Sequence, residues 1–225
     1  MTVVDRLAKV REQLHRSLEL AGRSCDEVEL LVVTKTFPVE VIQQVVDAGE
    51  QLLGENRVQE ALEKQNQLPS HISWHLIGPL QRNKVRKVVG KFTCLQGIDS
   101  LKLAGVIDRI AGELGVTQPV LLQVKVGGEE TKSGFEFSHL LEQMEFLTAL
   151  TNISIEGLMT IPPPVKSPLE ARPFFAAVRE LRDQLQLESG LPLKELSMGM
   201  SSDYQAAIAE GSTMVRIGSA IFGER

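Results

Sequence analysis

Cysteine is nearly absent from this 225-residue chain, and the two that occur, Cys25 and Cys94, lie far apart with no metal-ligand neighbours. That excludes a disulfide framework and a cysteine zinc site, and it fits a reducing cytoplasm. Aromatic residues are scarce too, at 4%. None interleaves with the basic run Arg82, Lys84, Arg86, Lys87 and Lys91, so that run lacks a stacking platform and reads as a solvated helix face after the third strand, with a partner or nucleic acid as the alternative. No apolar stretch is long enough to span a bilayer. The first residues, MTVVDRLAKVREQLHRSLELAG, carry charges throughout and helical periodicity at Val3, Leu7, Val10, Leu14 and Leu18, which excludes a signal peptide and predicts a cytoplasmic protein. A net charge of −5 argues against a chain built as a whole to bind polyanions. His71 and His75 have the spacing of a helical metal pair, but in a strand they stand about 13 Å apart, so no metal site is expected. His15 and His139 fall on helical patterns, where they pack or face solvent.

What is present is alternation. Strand patterns run over 28–34, 51–54, 72–78, 92–98, 119–126, 153–160, 194–200 and 213–219, with helical patterns between most of them. Asp99 and Ser100 can cap the helix LKLAGVIDRIAGELG, which stops at Gly115; the helix after Pro38 stops at Gly49. Such a chain can form a doubly wound sheet or a closed barrel. No G-x-G-x-x-G follows a strand to favour the dinucleotide fold, and eight units favour the barrel. The expected fold is α/β, a single (β/α)8 TIM-type barrel over 1–225 in one domain, with the N-terminal helix completing the outer ring. Pro162-Pro163-Pro164 reads as a stiff loop after the sixth strand.

Barrels of this kind place their chemistry at the carboxyl ends of the strands. There stands Lys35, ending the apolar, β-branched run Leu30 to Thr34. A desolvated lysine has a lowered pKa and can attack an aldehyde; alone, it could equally end the strand and snorkel to water. After strands seven and eight come LSMGMSSDYQ and VRIGSAIFG. Ser201, Ser202, Gly218 and Ser219 offer hydroxyls and approachable backbone N–H groups, the parts of a phosphate cradle, and Asp203 can cap the helix from Tyr204. A phosphate-bearing aldehyde accounts for both ends of the chain at once.

The blocks VTKTFP, GENRVQE, WHLIGPLQRNK, TKSG, GLMTIP, LSMGMSSD and GSTMVRIGSAIFGER, in that order, closely resemble the pyridoxal-phosphate homeostasis protein family, relatives of the N-terminal barrel of alanine racemase. The resemblance covers nearly the whole chain. It implies pyridoxal 5'-phosphate as cofactor, a Schiff base at Lys35, Ser201, Ser202, Gly218 and Ser219 around the phosphate, Arg216 against the pyridine nitrogen and Asn56 beside the ring. Arg57 departs from the tyrosine that many relatives carry after GEN.

A guanidinium cannot accept a proton, so an arginine at the pyridine nitrogen leaves the ring a poor electron sink. Racemisation also needs a second base, which the related racemases take from another domain; this chain is expected to have none, and its one tyrosine, Tyr204, is placed for packing or a phosphate-side contact. The expected function is therefore a monomeric, non-catalytic carrier that buffers or delivers the cofactor in vitamin B6 and amino/2-oxo-acid homeostasis, with recipient apoenzymes or a regulatory protein as partners. A low-activity amino-acid racemase is the alternative. Lys132 could take the aldehyde transiently from Lys35, or be a plain surface lysine.

Overall fold

In the computed structural model, residues 1–127 and 133–223 are described. The elements run α1 Val3–Leu20, β1 Glu29–Val33, α2 Val39–Asp47, β2 Leu52–Glu55, α3 Val58–Gln65, β3 Ser73–Leu76, α4 Val85–Val88, β4 Cys94–Ile98 and α5 Leu101–Leu114. They continue with β5 Gln118–Gln123, α6 Phe137–Thr148, β6 Ile153–Met159, α7 Arg172–Ser189, β7 Glu195–Met200, α8 Tyr204–Ala209, β8 Met214–Ile217 and α9 Ser219–Phe222. The strands pair in sequence order into a closed parallel barrel. Closure comes from β1 against β8, in register from Glu29–Met214 to Val32–Ile217.

Local chemistry sets the helix ends. Thr2 Oγ1 accepts the Asp5 N–H while Asp5 accepts the Thr2 N–H, a reciprocal cap that starts α1. Ser100 Oγ accepts the Leu103 N–H at the start of α5, and Gly115, at φ +67°, takes the left-handed turn that ends it. The periodic face of α1 buries Leu7, Val10 and Leu18, and α1 packs against both α2 and α8. It thus fills the expected place in the outer ring. It shares that place with α9, whose Ile221 and Phe222 carbonyls accept from Arg6 at 2.6 and 3.0 Å.

Alternation along the strands sorts side chains into two compartments. The large core lies between strands and helices, where Val32, Leu53, Leu122, Leu158 and Leu196 meet Ile42, Leu140, Phe175 and Leu185. Inside the barrel are two small apolar groups, Leu31–Val33–Met214 and Cys94–Leu121–Met159.

Three expectations are corrected. The basic run is no single helix face: Arg82–Lys84 is a 3₁₀ turn, α4 has four residues, and Gly90 at φ +75° ends the segment. Arg86 pairs with Glu113 of α5. Strand eight stops at Ile217 because Ser219 already opens α9. Asp203 precedes α8 without capping it; its Oδ1 accepts the Met200 N–H at 2.6 Å, closing the turn before the helix.

Candidate functional site

The carboxyl ends of the strands surround a cavity of about 760 Å³, within the range of small-molecule sites. Lys35, Asn56, Ser201, Ser202, Arg216, Gly218 and Ser219, singled out from the sequence, all line it, joined by Gln123 and Lys125. Its charged lining among the described residues is Lys35, Lys125 and Arg216, with no carboxylate. A chain of net charge −5 therefore presents a cationic mouth, suited to an anionic ligand. Lys132 lies outside the described residues.

Two close approaches shape the walls. A Cβ on Gly78 would stand 2.3 Å from the Asn56 carbonyl oxygen, so only glycine lets the loop after β3 press on the backbone that carries Asn56. A Cβ on Gly218 would lie 3.0 Å from the Val33 carbonyl oxygen, tying the loop after β8 to the end of β1. Ser201 Oγ accepts the Ala220 N–H at 3.3 Å and links the loops after β7 and β8. Ser202 and Ser219 are exposed at the rim.

Arg216 enters from β8 and is 3% exposed. Its Nη2 donates to the Thr160 carbonyl at 2.8 Å and its Nη1 to Ser197 Oγ at 2.7 Å. Ser197 donates onward to Gln96 Oε1 at 2.6 Å, and Gln96 Nε2 lies 2.8 Å from His75 Nδ1. With the Gln96 oxygen taken by Ser197, its amide N–H points at His75, which is the neutral acceptor of the chain. Burial pushes His75 down to about 4, in keeping with that role. Burial also lowers Arg216, to about 10, while the Asp203 carboxylate works the other way, so the guanidinium stays charged near neutrality. Tyr204 is buried and its hydroxyl donates to Gln13 of α1 at 3.1 Å. It faces α1 and is no part of the cavity lining.

Lys35 stands two residues beyond the end of β1, half-buried. The next residue, Thr36, has φ +69° and is the one non-glycine residue with positive φ among those described. For a β-branched side chain this costs about 1–2 kcal/mol. Behind the loop sits an ionic cluster that the sequence reading missed: Lys64 with Glu55 and Glu60. The i,i+4 spacing of Glu60 and Lys64 was a readable signal; their partnership with the Lys35 loop was not. Among the described residues no group of three or more metal-ligating side chains is assembled, and no helix is long and apolar enough to cross a membrane.

Residues 6–225 match the family model described as alanine racemase, N-terminal domain. A structure titled alanine racemase from Clostridium difficile superposes with TM-score 0.74 at 19% identity, over 96% of this chain and 56% of that one, a likeness of fold alone. Far nearer is PipY of Synechococcus elongatus, solved with pyridoxal phosphate bound: TM-score 0.88 and 39% identity over 99% of this chain and 100% of that one. Curated relatives called pyridoxal phosphate homeostasis protein include one from Aquifex aeolicus, 45% identical over 100% of this chain and 99% of its own. Another, from Synechocystis, is 44% identical over 88% of this chain and 92% of its own. The fold class is thus the alanine-racemase-type barrel. Within it, the chain belongs to the pyridoxal phosphate homeostasis protein family.

Proposed function

We propose that this chain, acting as one domain over 1–225, binds pyridoxal 5'-phosphate and serves the intracellular balance of vitamin B6 and of amino and 2-oxo acids. Lys35 holds the cofactor as a Schiff base. Ser201, Ser202, Gly218 and Ser219 surround the phosphate, Arg216 faces the pyridine nitrogen, and Asn56 lies beside the ring. The observation that carries this reading is the convergence of an amine, two serine-bearing loops and a buried guanidinium on one cavity free of carboxylates among the described residues. That donor set fits the group: cations and hydroxyls for a phosphate, an amine for an aldehyde. The cofactor bound in PipY supports it from a relative covered end to end.

The protein buffers or delivers the cofactor, as a cytoplasmic monomer, and does not turn over amino acids. When bound, the cofactor supplies an electron-sink ring, strong only if its nitrogen is protonated. Arg216, held by Ser197 and Thr160, can donate a hydrogen bond to that nitrogen but has no proton to spare at neutral pH. Tyr204, the one tyrosine of the chain, is engaged with Gln13 of α1.

Borohydride reduction of the holo-protein and peptide mapping should find the pyridoxyl phosphate adduct on Lys35, and Lys35→Ala should abolish it. An adduct confined to other lysines would sink the assignment. Holo-protein incubated with L-amino acids in deuterated water should show no multiple-turnover exchange at the α-carbon; steady exchange lost in Lys35→Ala would make the chain an enzyme.

A further inference from the structure

We infer that Glu60 and Lys64, with Glu55, are positioning residues for the Lys35 amine, an inference that rests on Lys35 being the aldehyde-binding group. Lys64 is 5% exposed. All three of its N–H donors are engaged: with the Thr34 carbonyl at 2.8 Å, Glu55 Oε1 at 2.6 Å and Glu60 Oε1 at 2.7 Å. Glu60 Oε1 also accepts the Thr36 N–H at 2.5 Å, and Thr34 Oγ1 donates to Glu55 Oε1 at 2.7 Å. The residues immediately before and after Lys35 are therefore both fastened, one through its carbonyl and hydroxyl, the other through its amide.

The fastening falls where the backbone needs it. Thr36 at φ +69° relaxes unless something holds it, and a charge-assisted bond from its N–H to a carboxylate is such a hold. Neither Glu60 nor Lys64 lines the cavity, so they act on Lys35 through the main chain. Lys64, with its donors committed to two carboxylates and the Thr34 carbonyl, is not a competing nucleophile. Two lysines close in the fold thus divide the work: Lys64 holds the loop, and Lys35 condenses with the aldehyde, forming the C=N bond and releasing water. A loop held in advance spares the amine part of the ordering cost of that step.

The test compares two probes on the full chain: pyridoxal 5'-phosphate, and pyridoxine 5'-phosphate, which has the same ring and phosphate but an alcohol in place of the aldehyde. Wild-type protein is read first; failure to trap an adduct on Lys35 there would overturn the Lys35 assignment, and this inference with it. In Glu60→Ala, imine formation followed by absorbance should weaken about tenfold and its pH titration should shift. Affinity for the alcohol probe should stay within about twofold. Glu60→Gln, whose amide oxygen still accepts the Thr36 N–H, should remain near wild type. Lys64→Met should resemble Glu60→Ala; because it strands a buried carboxylate, the half-buried Glu60 position is the deciding one. A Glu60→Ala protein with wild-type imine affinity and titration would overturn the inference. So would parallel loss of both probes from a folded Glu60→Ala protein, because the cluster would then hold the cavity wall as a whole.

Discussion

Two buried polar assemblies flank the cavity, and they are built on opposite principles. Outside the barrel, behind Lys35, the Lys64–Glu55–Glu60 cluster is dense in charge and grips main chain at Thr34 and Thr36. Inside the barrel, Arg216 is the one charged member of a chain that runs through Ser197 and Gln96 to a neutral His75. The first fixes where a backbone goes. The second fixes where a side chain points and leaves its charge unneutralised by direct contact within that chain. Burial weighs on both carboxylates of the first: it is the largest influence on Glu55 and raises its carboxyl despite Lys64 and Thr34, and Glu55 Oε2 has no hydrogen-bond partner among the described residues. On Glu60 burial also pushes upward, but Lys64 and the Thr36 N–H outweigh it and hold the carboxyl below its usual value. Positioning a loop thus calls for opposite charges in contact, whereas presenting a cation to a ligand calls for neutral partners.

The strongest way to break this contrast is Lys64→Met, which strands the fully buried Glu55; urea unfolding should show a loss of about 3–5 kcal/mol. A loss below about 1 kcal/mol would mean that Glu55 is already neutral, its proton on Oε2. Next comes acidification. The imidazole of His75 titrates at about 4 in the fold against an ordinary 6.5, so the unfolded chain binds the extra proton between those values. The stability from a neutral His75 is present above pH 6.5 and lost as pH falls toward about 4, by about 3 kcal/mol. His75→Gln should remove that part of the slope; an unchanged slope would take His75 out of the interior chain. Ser197→Ala cuts the chain in the middle and leaves Gln96 Oε1 and an Arg216 N–H unmatched, a cost of about 1–3 kcal/mol by denaturant titration. The smallest effect is at Thr36→Gly, where relief of the left-handed strain exceeds the entropy of glycine by about 0.5–1 kcal/mol in the folded protein's favour. A destabilised Thr36→Gly protein would show that the side chain, rather than the amide bond to Glu60, holds the loop.

Much of the barrel was legible because its signals are local. Short apolar, β-branched runs, Ser100 before a helix and Gly115 after it are signals that chain geometry sets within a few residues. The cavity residues were legible for a related reason: in this architecture the end of a strand is the mouth of the site, so locating β1, β7 and β8 located Lys35, Ser201, Ser202, Gly218 and Ser219, to which the family resemblance added Asn56 and Arg216. The segment 82–91 misled because a basic periodic run suits a solvated helix, while a 3₁₀ turn and the left-handed Gly90 interrupt it. Asp203 misled because a carboxylate before a helix can bond forward or backward, and here it turns back to Met200.

The chain's own pattern was enough for the alternation of elements, the barrel it favours and the order of the loops at its mouth, all consequences of apolar runs and turn chemistry acting over short distances. Folding alone buries Lys64, an ordinary-looking helical lysine, against the Lys35 loop, and joins His75, Gln96, Ser197 and Arg216, from four different strands, into one chain. The pairing of β1 with β2 and the packing of α3 behind them set the first; barrel closure sets the second. It brings β8 beside β1 and turns alternate side chains of distant segments into one confined space, where a polar group must find a partner or lose its hydration without return.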